Sequence, residues 1–187
     1  MKYLFARFAA GMALVALLAG CSTVQSMSSY VGSDKADLCP DAGILATTSS
    51  LPAFAPKNGG DPSGVIYTIA MTNVTTRCSY DKEEKTADAS VHIAFHAKRA
   101  PGGNETTYRV PYFVAVSEGG VIVAKKIYWA DFDFAAGATA ADGEASVDST
   151  TVAVAKDKHI YDYHLLAGFQ LTQAQLDYNN KMGRYEP

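Results

Sequence analysis

From residue 65 onward, apolar and polar side chains alternate with a period of two, as in strands that bury one face. Val65, Tyr67, Ile69 and Met71 alternate with Ile66, Thr68, Ala70 and Thr72. Val91, Ile93, Phe95 and Ala97 alternate in the same way with His92, Ala94, His96 and Lys98. Tyr108, Val110, Tyr112, Val114 and Val116 form a third apolar face. Glu118-Gly119-Gly120 then offers positive-φ turn positions ahead of Val121, Val123 and Ile127, which predicts a hairpin. Val147 to Val154 is a weaker strand closed by Lys156-Asp157-Lys158. Tyr161, Tyr163, Leu165, Ala167, Phe169 and Leu171 share the face of a strong last strand.

The breaks between these runs are as informative. Pro101-Gly102-Gly103-Asn104 is a loop. Pro111 has no N–H for a ladder, so its place inside a strand pattern predicts an edge or a bulge. Ala135 to Ala145 is almost entirely alanine, glycine, threonine and acidic residues, and reads as a long flexible loop. Thr172 followed by Gln175 makes a capping box that starts a helix of about three turns, with Gly183 as its stop. The sum is an all-β fold: an antiparallel two-sheet sandwich of six to seven strands, immunoglobulin- or fibronectin-like, with a short C-terminal helix. A small closed barrel is the alternative.

The N-terminal segment follows other rules. Lys2 and Arg7 precede an uncharged stretch from Phe8 to Gly20, too short for a membrane-spanning helix and suited to a secretory signal. It ends in Leu18-Ala19-Gly20-Cys21, which resembles the lipobox of bacterial lipoproteins. That resemblance implies cleavage before Cys21, lipidation of its thiol, and acylation of the new amine. Two or three acyl chains, at roughly 0.8 kcal/mol per buried methylene, make attachment to a bilayer effectively permanent. Ser22 stands where aspartate favours inner-membrane retention in Gram-negative lipoproteins, so the resemblance points to the outer membrane, facing the periplasm. The division is then a signal peptide over 1–20, a serine-rich lipidated tether over 21–37, and one domain over 38–187. Val24, Met27, Tyr30 and Val31 could alternatively form an amphipathic turn on the membrane.

The 187 residues, 48% hydrophobic and 19% charged, are enough for one domain with its own core after the leader is removed. Loss of Lys2 and Arg7 moves the formal net charge from −3 to −5. An acidic chain without a basic block excludes nucleic acid as a partner class. With Cys21 carrying lipid, Cys39 and Cys78 remain as a disulfide pair in an oxidising compartment.

Candidates for chemistry are few. His92 and His96 have the i, i+4 spacing that chelates zinc on a helix. On a strand the same spacing separates them by about 13 Å, and one metal cannot bridge that. No metal or other cofactor is expected. Asp131 and Asp133 would stand about 6.6 Å apart on one strand face, a spacing open to glycosidase chemistry. The plainer reading is a polar face with Phe132 and Phe134 buried behind it. Tyr108, Tyr112, Tyr128 and Trp129 come from adjacent hairpin arms and could make one aromatic binding patch. Tyr161 and Tyr163 belong with the core face. No G-x-S-x-G, phosphate-cradling glycine loop or H-E-x-x-H occurs. The reading is a non-enzymatic envelope lipoprotein, held to a membrane by its lipid, that binds another envelope protein. A glycan-binding module is the alternative, and a periplasmic hydrolase a third.

Overall fold

In the computed structural model, which describes residues 39–55 and 64–183, the alternating segments and two short stretches before them form eight strands in two four-stranded sheets. In chain order these are β1 (Asp41–Ile44), β2 (Ser50–Phe54), β3 (Val65–Asp81), β4 (Thr86–Arg99), β5 (Thr106–Glu118), β6 (Val121–Phe134), β7 (Ala140–Ala153) and β8 (Tyr163–Phe169). The helix α1 (Gln173–Met182) follows. One sheet runs β1-β8-β5-β6 and the other β2-β3-β4-β7. Only β1 and β8 pair in parallel. Neither sheet closes on itself, so the fold is a sandwich and not a barrel. β4 pairs with β7 in one sheet and β5 with β8 in the other, as strands B with E and C with F do in immunoglobulin-type sandwiches. The parallel β1 departs from that plan.

The core lies between the sheets. Every odd position of β4 from Ala87 to Arg99 is buried, so this strand turns a whole face inward. Phe95 sits at its centre, with the rings of Tyr112, Phe132 and Phe169 at 5.4–5.8 Å. Each large side chain so buried contributes on the order of 1.5–3 kcal/mol. Toward one end, Tyr67 of β3 meets Tyr108 of β5 across the sheets, with ring centroids 4.1 Å apart. Cys39 and Cys78 form the expected disulfide, tying the residue two before β1 to β3 in the opposite sheet.

Several expectations need correction. The described residues form eight strands, more than the six or seven expected, because β1 and β2 are short and carry no apolar alternation. The loop expected over residues 135–145 is confined to 135–139, and residues 140–145 open β7. Alanine, glycine and acidic residues have weak strand preference, but here small size is the requirement. Gly143 lies under the Phe132 ring, where an added Cβ would come within 2.9 Å of a ring carbon. Pro111 is neither in an edge strand nor at a bulge, since β5 is central. Its carbonyl accepts from the Gln170 N–H (3.0 Å), just past the last residue of β8. The missing donor therefore falls where the ladder ends.

The helix starts as its capping box predicts, with Thr172 and Gln175 satisfying each other. It packs on its own domain through polar contacts. Asn179 is buried; its side-chain amide donates to the Ser50 and Thr47 carbonyls (2.8 and 3.2 Å) and accepts from the Ser50 hydroxyl. Gln175 donates to the Pro52 carbonyl at 2.7 Å, and Tyr178 meets Phe54 edge-on at 5.4 Å. No helix among the described residues is long and apolar enough to cross a membrane.

Candidate functional site

β6 leaves the Gly119-Gly120 turn, whose φ values of +56° and +83° suit glycine, and pairs along its length with β5. Among the described residues no strand pairs with its other side, so it is the edge of its sheet. Toward Phe132 and Phe134 its inward side chains are fully buried. The strand up to Trp129 is built differently. Val121, Ile122, Val123, Ile127 and Trp129 are 45–65% exposed and make up five of the nine large exposed hydrophobics among the described residues. Such side chains cluster on one strand here, and that makes β6 the leading candidate surface.

Around Trp129 the outward face carries mixed charge. The Arg109 guanidinium lies 5.7 Å from the Trp129 ring and 3.7 Å from the Asp131 carboxylate. Asp133 accepts from the Thr107 hydroxyl at 2.6 Å. Lys125 lies over the Phe113 ring (4.1 Å) and donates to the Gln170 side chain (2.8 Å). Asp131 and Asp133 thus share an open strand face, each with a local partner, and Phe132 and Phe134 are buried behind them. Both acidic residues are exposed.

The four aromatics do not come together as one patch. Tyr112 is 3% exposed, and Tyr128, paired opposite it, stacks on it from the same inner face at 5.5 Å. Tyr108 packs on Tyr67 and Phe134. Trp129 alone points out, as odd and even positions of a strand must diverge. Burial, followed by the nearby Tyr128, raises the Tyr112 phenol above its ordinary 10.0; burial and then Tyr108 do the same for Tyr67. Tyr163 is buried, with its hydroxyl accepting from the Ala155 N–H (3.1 Å). Tyr161, expected on the same core face, instead lies in a 3-10 turn, 61% exposed and stacked on His159 at 4.8 Å.

His92 and His96 occupy the outer face of β4, and β7 gives each its own neighbour. His92 meets the Ser146 hydroxyl at 2.9 Å, and His96 meets the Asp142 carboxylate at 2.6 Å. No group of three or more metal-ligating side chains occurs among the described residues. Between the edges of β6 and β7 a shallow opening of about 180 Å³ is lined by Val116, Lys126, Tyr128, Ser149, Thr150 and neighbours.

One structural residue escapes the period-two reading. Arg99 is buried at the end of β4, where it donates to the carbonyls of Gly103, Asn104, Ala135 and Ala138 (2.7–3.3 Å) and lies 4.7 Å from the Phe134 ring centroid. A charged residue continuing an apolar inward face was the available signal. The exposed apolar start of β6 also left a trace: Val121, Ile122 and Val123 are apolar at both parities, unlike a strand with one buried face. Cys21 and the tether lie outside the described residues. No family model, curated protein or solved structure matches the chain.

Proposed function

We propose that this protein is a lipid-anchored component of a bacterial cell envelope that binds another envelope protein and carries out no chemistry of its own. The observation that supports this best is the stretch of β6 from Val121 to Trp129, where Val121, Val123, Ile127 and Trp129 stand exposed at 50–65% on a strand anchored in a tightly packed sandwich. A rigid sheet presenting aliphatic groups around one tryptophan, with arginine and carboxylates beside them, has the composition of a protein-binding surface. The lipobox-like Leu18-Ala19-Gly20-Cys21 supplies the address: outer membrane, periplasm-facing, attached through Cys21. A glycan platform of Tyr108, Tyr112, Tyr128 and Trp129 has less support, because three of the four rings face the interior.

Photo-cross-linking in cells making the full chain tests the reading. A photoreactive residue at position 129 or 127 should capture a distinct envelope protein, whereas one at Thr75, exposed on the opposite sheet, should not. Capture of nothing but copies of the chain itself, or the same products from all three positions, overturns it. The anchor is tested separately: Cys21→Ala should lose the mass of the lipid and leave the detergent phase.

A further inference from the structure

We infer that β6 is also a self-recognition edge: two copies of the chain pair β6 against β6 in antiparallel order, centred on Tyr128. This rests on β6 alone and goes beyond the proposed function, since it concerns the strand's free backbone edge and holds with or without an envelope partner on the outward face.

The free edge offers a row of backbone donors and acceptors along a strand of 14 residues. Edges of this kind recruit other strands unless they are defended. The side chains decide which strand fits. In an antiparallel pair, residues directly opposite one another lie on the same face, so a one-residue slip turns apolar groups to the wrong side. That leaves registers centred on single residues. A centre at Lys125 or Lys126 sets that lysine against its own copy. A centre at Ile127 puts Val123 opposite Asp131, and a centre at Trp129 puts Ile127 opposite Asp131.

Centred on Tyr128, the middle of the outward row becomes complementary to itself, and the one mismatch, Val123 opposite Asp133, moves out to the ends of the pairing. Lys125 stands opposite Asp131 of the second copy and Ile127 opposite Trp129, and the two-fold axis repeats both pairs. Lys126, on the inward row, falls opposite the small Ala130. Each lysine thus rejects the register centred on itself, Asp131 disfavours those centred on Ile127 and Trp129, and in this one Lys125 meets a carboxylate. Their present partners do not prevent it. Lys125 is held by single exposed contacts to Gln170 and Phe113, and the Asp131 side chain is 54% exposed with a loose 3.7 Å contact to Arg109. Joining the two edges makes one eight-stranded sheet in which Ile127 and Trp129 of both copies form a continuous strip.

The test uses the full chain, purified in excess detergent so that chance sharing of a micelle is rare. Lys125→Cys protein mixed with Asp131→Cys protein and oxidised should give a disulfide-linked dimer. Either variant alone should give none, because like positions lie about 20 Å apart in this register. A dimer from the single variants, or none from the mixture while the Cys39–Cys78 bond is intact, overturns the inference. Charge reversal is the second arm, read by chemical cross-linking of the full chain over a dilution series. Lys125→Asp and Asp131→Lys should each weaken the dimer about tenfold or more by placing like charges opposite one another twice, and the double variant should restore it. Equal dimerisation of all four proteins, or a uniformly monomeric wild type, also overturns it. Capture of a different protein at position 129 is untouched by these outcomes, so the failure of either proposal is visible without the other.

Discussion

β6 and β7 are each 14 residues long, are consecutive in the chain, and end their respective sheets on the same side of the sandwich. Their free edges are nonetheless opposites. β7 exposes Asp142, Glu144, Ser146 and Asp148, and a positive φ of +64° at Ser149 distorts its edge. Acidic side chains and a local kink are ways a fold keeps an edge strand single. β6 exposes valine, isoleucine and tryptophan over its first nine residues, with Lys125 and Lys126 among them, and its exposed carboxylates, Asp131 and Asp133, come only beyond Trp129. The domain can therefore make a guarded edge and does so on one strand only. The unguarded one is where binding belongs.

The sharpest way to separate that surface from the scaffold is to weaken the scaffold far from it. Cys78→Ser opens a bridge between positions 39 residues apart. Chain entropy makes this worth about 4 kcal/mol, so for a domain of this size the midpoint of thermal unfolding should fall by roughly 10 °C. Cross-linking through β6 at 25 °C should persist, because the bridge joins the start of β1 to β3. If β6 products vanish while the fold survives, the surface depends on more than its own strand.

Arg99 breaks the comparison from within, since its four carbonyl partners include Ala135 and Ala138 in the turn that leads from β6 to β7. Arg99→Ala leaves these acceptors without a donor in a buried place and should cost about 3 kcal/mol in denaturant titration. Hydrogen exchange should rise first at 135–139 and at the adjoining ends of β6 and β7. A loss below 1 kcal/mol would mean that solvent replaces the guanidinium freely. Gly143→Val probes the one place where β7 must be small for β6 to pack. The Phe132 ring has to move away from a new Cβ, at about 2 kcal/mol, and alanine should cost less.

Legibility in the sequence tracked how one-sided each strand is. The inward rows of β4, β5 and β8 are regular apolar alternations, and their faces follow from the residues alone. The Gly-Gly hairpin and the Thr172 capping box depend on local backbone rules and were equally plain. β7 was half hidden because its inward positions Ala141, Gly143 and Ala145 are small, and at Gly143 that smallness is a requirement set by the Phe132 ring of a neighbouring strand. Tyr112, Tyr128 and Trp129 were individually visible as aromatics of one hairpin. Their division between faces depends on which row of β6 faces β7, and that is fixed by long-range pairing. The same holds for β6 being an edge: nothing in Val121–Trp129 states that a second neighbour is missing.

The smallest effect concerns the tyrosines that connect β5 to the inner face of β6. Burial disfavours the tyrosinate of Tyr112 and Tyr67, so both phenols titrate above 10.0 when folded and near 10.0 when unfolded. Below pH 10 both states keep these protons, and the two groups add no pH dependence. Above it the unfolded chain releases them first, so stability must decline as pH rises through and beyond 10. The share of the decline that these two phenols cause belongs to the β3–β5 and β5–β6 ring contacts. Tyr112→Phe should flatten part of that slope without altering stability at pH 8 by more than the loss of one hydroxyl. An absorbance titration should show a late fraction of tyrosinate emerging together with loss of the fold. If every tyrosine ionises near pH 10 in the intact protein, the inward stacking of Tyr112 and Tyr128 is wrong, and the aromatic face of the hairpin is open to solvent after all.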